Sequence, residues 1–157
     1  MNRMLAIVFI MACSAMALAG PGDMQVLSDI LEERIKSRRP EWELLNKHVD
    51  DDAAVIQWQN ASPEKETYLV VIKNTPSTAA AAKIFSQQFP NQAGNNGVEI
   101  QGVGQEARFY EIKPGARIYI EFREANFIVD LMAPSEPKGR RLAKYILDSI
   151  AALQHKK

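Results

Sequence analysis

The sequence predicts an α+β domain: an antiparallel sheet of five to six strands with helices packed on it, in the order helix, two strands, helix, three or four strands, helix. Three observations lead there. Apolar residues recur at steps of three and four in separate stretches near both ends and in the middle of the chain. Between those stretches lie short runs rich in β-branched and aromatic residues, several of them alternating apolar with polar. Short turn-forming segments join the runs, which favours antiparallel pairing over crossover connections. A length of 157 residues, 24% charged and 46% apolar, suits one globular domain. The 19 basic and 19 acidic residues cancel. That balance argues against a nucleic-acid partner, which needs a surplus of Lys and Arg.

Residues 1–19 read as a signal peptide. Arg3 gives a positive start, Leu5 to Ala12 is an unbroken apolar run, and Ala17-Leu18-Ala19 offers the small-x-small pattern of a cleavage site. The run is too short to span a bilayer, and no other stretch is a membrane-span candidate. Cleavage there removes Arg3, taking the basic count from 19 to 18 against 19 acidic residues. It also removes Cys13, the only cysteine, and with it any disulfide, thiol nucleophile or Cys-based zinc site. The alternative is a lipidated Cys13 that anchors the chain. Residues 22–154 then form a single α+β domain, with no linker rich in Gly, Ser or Pro to divide it.

The elements follow in order. Met24, Leu27, Leu31 and Ile35 mark one face of a first helix, with Asp23 as its N-cap. Pro40 ends it or restarts a short helix at Glu41-Trp42-Glu43, a strand through the same residues being the alternative. Ala54 to Gln59 reads as a strand, Asn60 to Lys65 as a turn, and Thr67 to Lys73 as the clearest strand, so the two form a hairpin. Thr75-Pro76 supplies an N-cap and a first helical residue for a helix running to Phe89, with Ala81, Ile84, Phe85 and Gln88 as its contact face. Pro90 ends it, and residues 91–97 form a polar loop.

Val98 to Gln101 and Ala107 to Ile112 are short strands, the second closed by a turn at Lys113-Pro114-Gly115-Ala116. In Arg117 to Arg123, Ile118, Ile120 and Phe122 alternate without a miss against polar neighbours. Burying those three is worth roughly 5–9 kcal/mol before entropy is charged, enough to fix the strand's register. Phe127 to Met132 is apolar on both faces and belongs at the sheet's centre. Ser135 and Pro137 open a last helix with Leu142, Ile146, Ile150 and Leu153 as its buried stripe; Gln154 to Lys157 is expected to fray.

No assembled catalytic set is visible. His155 lies in the tail, and His48 precedes Asp50-Asp51-Asp52, which reads as a solvated turn because consecutive side chains diverge and the glycine of a calcium loop is missing. Gly102-Val103-Gly104 lacks the third glycine and the following helix of a dinucleotide site and reads as a bulge or tight turn. No cofactor, metal site or catalytic residue is assigned. Asn60-Ala61-Ser62 matches an N-glycosylation acceptor. Glu106, Glu111, Glu121 and Glu124 could serve a carboxylate-based hydrolase only if at least two converge in a cleft.

The candidate binding residues are cationic and aromatic. Lys138, Arg140, Arg141 and Lys144 cluster at the start of the last helix, where cations oppose the helix dipole. Arg140, Arg141 and Lys144 are taken as binding residues. Arg108, Tyr110, Arg117, Tyr119 and Arg123 fall on the polar side of the alternating strands and form an Arg/Tyr surface of the kind enriched at interfaces. The partner expected for this combined patch is a protein or a small anionic ligand.

The phrase G-x-G-x-E-A-x-x-Y at Gly102 to Tyr110, the strand Ile118 to Arg123, the run Asn126 to Val129 and the helix bearing Leu142-Ala143 resemble a group of small secreted or lipoprotein domains of bacteria, some of them PsbP-like in fold. Phe109 matches the group's hydrophobic residue, whereas Gln105 stands where an acidic residue is usual. The resemblance implies export and helices flanking an antiparallel sheet, and it transfers no catalytic residue. The expected function is an exported envelope protein acting as a non-enzymatic binding or scaffolding module, with a carboxylate-based envelope hydrolase or a Cys13-anchored lipoprotein as alternatives.

Overall fold

A computed structural model describes residues 22–87, 97–111 and 117–156. The signal segment, Cys13, Gln88, Phe89, Pro90 and the Lys113 to Ala116 turn lie outside them. The chain runs α1 (Asp23–Arg38), β1 (Trp42–Val49), β2 (Ala53–Asn60), β3 (Thr67–Asn74), α2 (Thr78–Gln87), β4 (Val98–Glu99), β5 (Glu106–Glu111), β6 (Ile118–Glu124), β7 (Phe127–Ala133) and α3 (Glu136–His155). All described strand pairs are antiparallel, in one sheet of order β1-β2-β3-β7-β6-β5-β4. No helix among the described residues is long and apolar enough to cross a membrane.

The α+β class and the antiparallel sheet are as the sequence predicts; the strand count is not. Seven strands replace five to six, because Trp42–Val49 is a strand and not a short helix. The element order becomes helix, three strands, helix, four strands, helix. β1 pairs with β2 from Trp42↔Asn60 to Val49↔Ala54, with a register shift between Leu44 and Asn46. That bulge interrupts the alternation that would mark a strand. β1 is an edge strand, and Lys47 turns inward to bond Asp29 and Glu32 of α1. A bulge and an inward charge both discourage pairing with another chain.

The core lies between one face of the sheet and the α1–α3 layer. Ala54, Ile56 and Trp58 of β2, Tyr68, Val70 and Ile72 of β3, Ile118, Ile120 and Phe122 of β6, and Phe127, Val129 and Leu131 of β7 are all buried there. They meet Met24, Leu27, Leu31 and Ile35 of α1 and the expected stripe of α3. Gly139 lets α3 approach β6: a Cβ on it would stand 2.7 Å from Ile118 Cδ1. The two helices are also tied by Arg34, whose Nε donates to Ser149 Oγ at 3.2 Å. α2 covers part of the opposite face, where Ala81 and Phe85 bury Ile128. β7 is therefore central and covered on both sides, as its sequence implies.

The helix boundaries differ from expectation in three places. Gly22, not Asp23, occupies the cap of α1, and Asp23 is its first-turn acid. Thr75 does not cap α2; its single O–H is shared between the carbonyls of Asn126 (2.8 Å) and Ser77 (2.9 Å), fastening the end of β3 to the β6–β7 turn. Ser77 caps instead, accepting from Ala80 N–H at 3.0 Å. On α2, Ala81 and Phe85 are buried but Ile84 is exposed. Of the residues expected to fray, Gln154 and His155 belong to α3, whose Leu153 is still buried, Lys156 is its C-cap, and Lys157 lies outside the described residues.

Candidate functional site

At one end of the core, separate chain segments meet around a cavity of about 170 Å³. The α1–β1 connection contributes Arg39 and Glu41, and the start of β1 Trp42; Asn60 ends β2, Glu66 lies in the β2–β3 loop and Tyr68 near the start of β3; α3 contributes Lys138, Arg141, Leu142 and Tyr145. A tight turn, with Trp42 N–H donating to Arg39 O at 2.9 Å, launches β1 so that Trp42 arrives beside the sheet. Its ring stacks on Tyr68 with centroids 3.9 Å apart and planes 24° from parallel. Tyr68 and Leu142 are buried, Trp42 and Tyr145 half-buried.

The β2–β3 loop is pinned to present Glu66. Asn60 Oδ1 accepts from Glu66 N–H at 2.9 Å and from Ser62 Oγ at 2.7 Å. The Glu66 carboxylate then receives Asn60 Nδ2 at 2.7 Å, the Tyr68 hydroxyl at 3.2 Å and the Lys138 ammonium. The Lys138 hydrogen bond is the main reason its carboxyl is held below the usual range. Burial, reinforced by the Glu66 charge, pushes the Tyr68 phenol up, so it stays a neutral donor. Asn60, the would-be glycosylation acceptor, spends both ends of its amide on this network.

Three cations and two carboxylates line the cavity. Arg39 pairs with Glu41 at 3.8 Å and Lys138 with Glu66. Arg141 is exposed and has no ion pair or hydrogen bond among the described residues. A guanidinium left over beside an aromatic wall is equipped to hold an anion by paired N–H donors.

The structure divides the residues singled out by sequence. Of the α3 cations, only Lys138 and Arg141 line the cavity. Arg140 bonds Glu136 at 2.8 Å and the Gln101 carbonyl at 3.1 Å, and Lys144 bonds Asp148 at 3.1 Å. Arg108, Tyr110, Arg117, Tyr119 and Arg123 lie on the α2 side of the sheet, since their strand neighbours Ala107, Ile118, Ile120 and Phe122 face α3. The sheet separates the two groups, so they form no single patch. On that far face Arg108 sits 5.7 Å over the Phe85 ring, Arg117 reaches Met132 Sδ at 3.8 Å, and Arg123 pairs with Glu106 at 2.8 Å. Tyr110 and Tyr119 are cross-strand partners.

The four glutamates are not gathered in one place. Glu106 is held by Arg123, Glu111 ends β5, and Glu124 ends β6. Glu121 stands directly opposite Asp130 in mid-sheet. Its Oε2 is buried without a hydrogen-bond partner among the described residues, while the Tyr110 hydroxyl donates to the carboxylate. Burial, with the Asp130 charge second, pushes the Glu121 carboxyl up to about 7. The Tyr110 phenol is pushed up to about 12, again by burial first and by Glu121 second.

The Glu121 shift has a definite sign for stability. The folded state holds this proton more tightly than an unfolded chain, whose carboxyl titrates near 4.5. Its contribution is complete below that value and is lost as pH rises towards about 7. Glu121→Gln should therefore be more stable than the parent at pH 8, by about 1–2 kcal/mol after solvent screening, and equal to it at pH 4. Chemical denaturation at both pH values checks this; a variant weaker than the parent at pH 8 would show the ionised carboxylate to be an asset.

His48 lies 3.3 Å from Asp50, both well exposed, in the β1–β2 hairpin. Among the described residues no group of three or more His, Cys, Asp or Glu is placed to hold a metal ion. Sequence reasoning missed Arg39, Trp42, Glu66 and Tyr68. The only local sign of the cavity was on α3, where Lys138, Arg141 and Tyr145 at steps of three and four share a helix face. Compared with known proteins, the chain matches no protein-family model, no curated protein and no solved structure.

Proposed function

We propose that this chain is an exported envelope module that binds a ligand without transforming it, and that the ligand is a small anion held in the cavity between α3 and the β1–β3 end of the sheet. The observation that carries this reading is Arg141: a cation with no partner among the described residues, on a cavity whose other charges are paired. Aromatic walls and a few fixed polar groups are the usual composition of a ligand site. The signal-like N-terminus and the resemblance to small secreted domains support export. Scattered glutamates give the hydrolase alternative no comparable centre, and the Arg/Tyr face of the sheet becomes a separate surface rather than part of the pocket.

Titrating acetate, succinate and inorganic phosphate, with tryptophan fluorescence and calorimetry as readouts, tests the proposal. At least one anion should saturate, and Arg141→Ala should weaken it tenfold or more, about 1.4 kcal/mol. Replacing Arg140, Arg141 and Lys144 together by Ala should move the melting temperature by only about 2 °C, as expected for exposed ion pairs. Saturation unaffected by Arg141→Ala, or a loss of many degrees, would assign these residues to the scaffold.

A further inference from the structure

The cavity restricts its ligand by size, wall and charge, and each restriction comes from a different group of residues. About 170 Å³ is close to the volume of a site that encloses one benzene ring. Two fused rings or a sugar would extend from it into solvent. The wall is aromatic: Trp42 and Tyr68 stand as a stacked pair, with Tyr145 on the α3 side. Ring pairs in offset or edge-to-face geometry gain beyond simple area burial, so a flat π-system is favoured over a saturated ring of equal size.

The charge inventory is equally narrow. Glu66 holds Lys138, and Glu41 holds Arg39. Only the Arg141 guanidinium is without an ion pair among the described residues, so three cations against two carboxylates leave the cavity one net positive charge to offer. Its planar fork fits the two oxygens of a carboxylate. A doubly charged group would find its second charge beside Glu66 and Glu41. Arg141 is exposed whereas Tyr68 and Leu142 are buried, so ring and carboxylate must be joined by a short tether: ring inward, carboxylate at the rim.

We propose that the pocket's ligand class is an aryl group tethered to a single carboxylate. The proposal rests on the reading of this cavity as the binding site. The same chemistry exists in a free arylalkanoic acid and at the carboxyl end of a peptide whose last residue is aromatic.

The test uses the full chain and 3-phenylpropanoate as the probe, followed by tryptophan fluorescence and calorimetry. Of the two tryptophans, Trp42 lines the cavity and Trp58 is buried in the core, so Trp42→Phe identifies the signal. Saturable binding should quench Trp42, weaken at least tenfold in Arg141→Ala and recover in part in Arg141→Lys. 3-Phenylpropanamide and 3-cyclohexylpropanoate should each bind at least tenfold more weakly. Equal binding of the amide, or of the cyclohexyl acid, overturns the proposal. If acetate or phosphate binds through Arg141 with no gain from the ring, the ligand class is wrong and the pocket stands. If no anion binds at all, both fall. Acetyl-Gly-Gly-Phe with a free carboxyl terminus separates the sources: tighter binding than 3-phenylpropanoate assigns the ligand to a chain terminus, and weaker binding assigns it to a free acid.

Discussion

Phe122→Ala is expected to destabilise the protein by about 3–5 kcal/mol, a large share of the roughly 5–15 kcal/mol that holds a domain together. Phe122 is fully buried on β6, between Ala107 of β5 and Val129 of β7 in the pairing register. Truncation removes the transfer energy of the ring and leaves a void that its neighbours cannot collapse into, because they are held by sheet pairing on both sides. Guanidinium denaturation measures the loss. A cost under about 1 kcal/mol would mean that β6 does not face the α1–α3 layer, and the burial of Ile118 and Ile120 would be in question with it.

Gly104→Ala is expected to cost about 2–4 kcal/mol, for two separable reasons. Gly104 has φ +58, where a side chain is strained, and a Cβ there would lie 2.6 Å from the Arg123 carbonyl oxygen and 3.2 Å from Phe122 Cδ2. The carbonyl cannot retreat freely, since it accepts from Gln105 N–H at 2.8 Å. Gly102 separates the two reasons: its φ is +80, and a Cβ would meet nothing within 4 Å. Gly102→Ala should therefore show only the backbone cost, about 1 kcal/mol. Equal losses in the two variants would show that the Arg123 carbonyl is not the obstacle. Gly104 thus makes the close fit of the β4–β5 connection against β6, whereas Gly102 serves only the backbone's positive φ.

The parts of the fold that were legible are those where one short stretch carries its own periodicity. Ile118, Ile120 and Phe122 announced β6, and the mixed apolar faces of Phe127–Met132 announced a central strand, because burial on one or two faces leaves a direct mark on residue order. β1 was obscured by its bulge and by exposed Leu44 and Leu45, which blur both possible periods. The α2 cap was misplaced because a Thr-Pro pair satisfies the local rule equally well; the competing bonds of Thr75 go to Asn126, far away in sequence. The pocket was hidden for the same reason. Trp42, Glu66 and Arg141 are brought together only by the order of the strands and the docking of α3. The alternation of β5 and β6 marks the Arg/Tyr face, but nothing in it shows that α3 packs on the opposite side of the sheet.

The position of β7 also governs the order in which the molecule can be assembled. The last of the described strands to be synthesised is the one inserted between β3 and β6, pairing Asn74 with Phe127 and Leu69 with Met132 across a third or more of the chain. Until it arrives, β1–β2–β3 and β4–β5–β6 are two unjoined meanders, and the β3 edge waits open. Hairpin contacts form quickly and distant ones late, because long loops must close first. A nascent chain of this protein therefore remains unfinished until β7 is present, and the two halves of the sheet gain their shared stability in one late step.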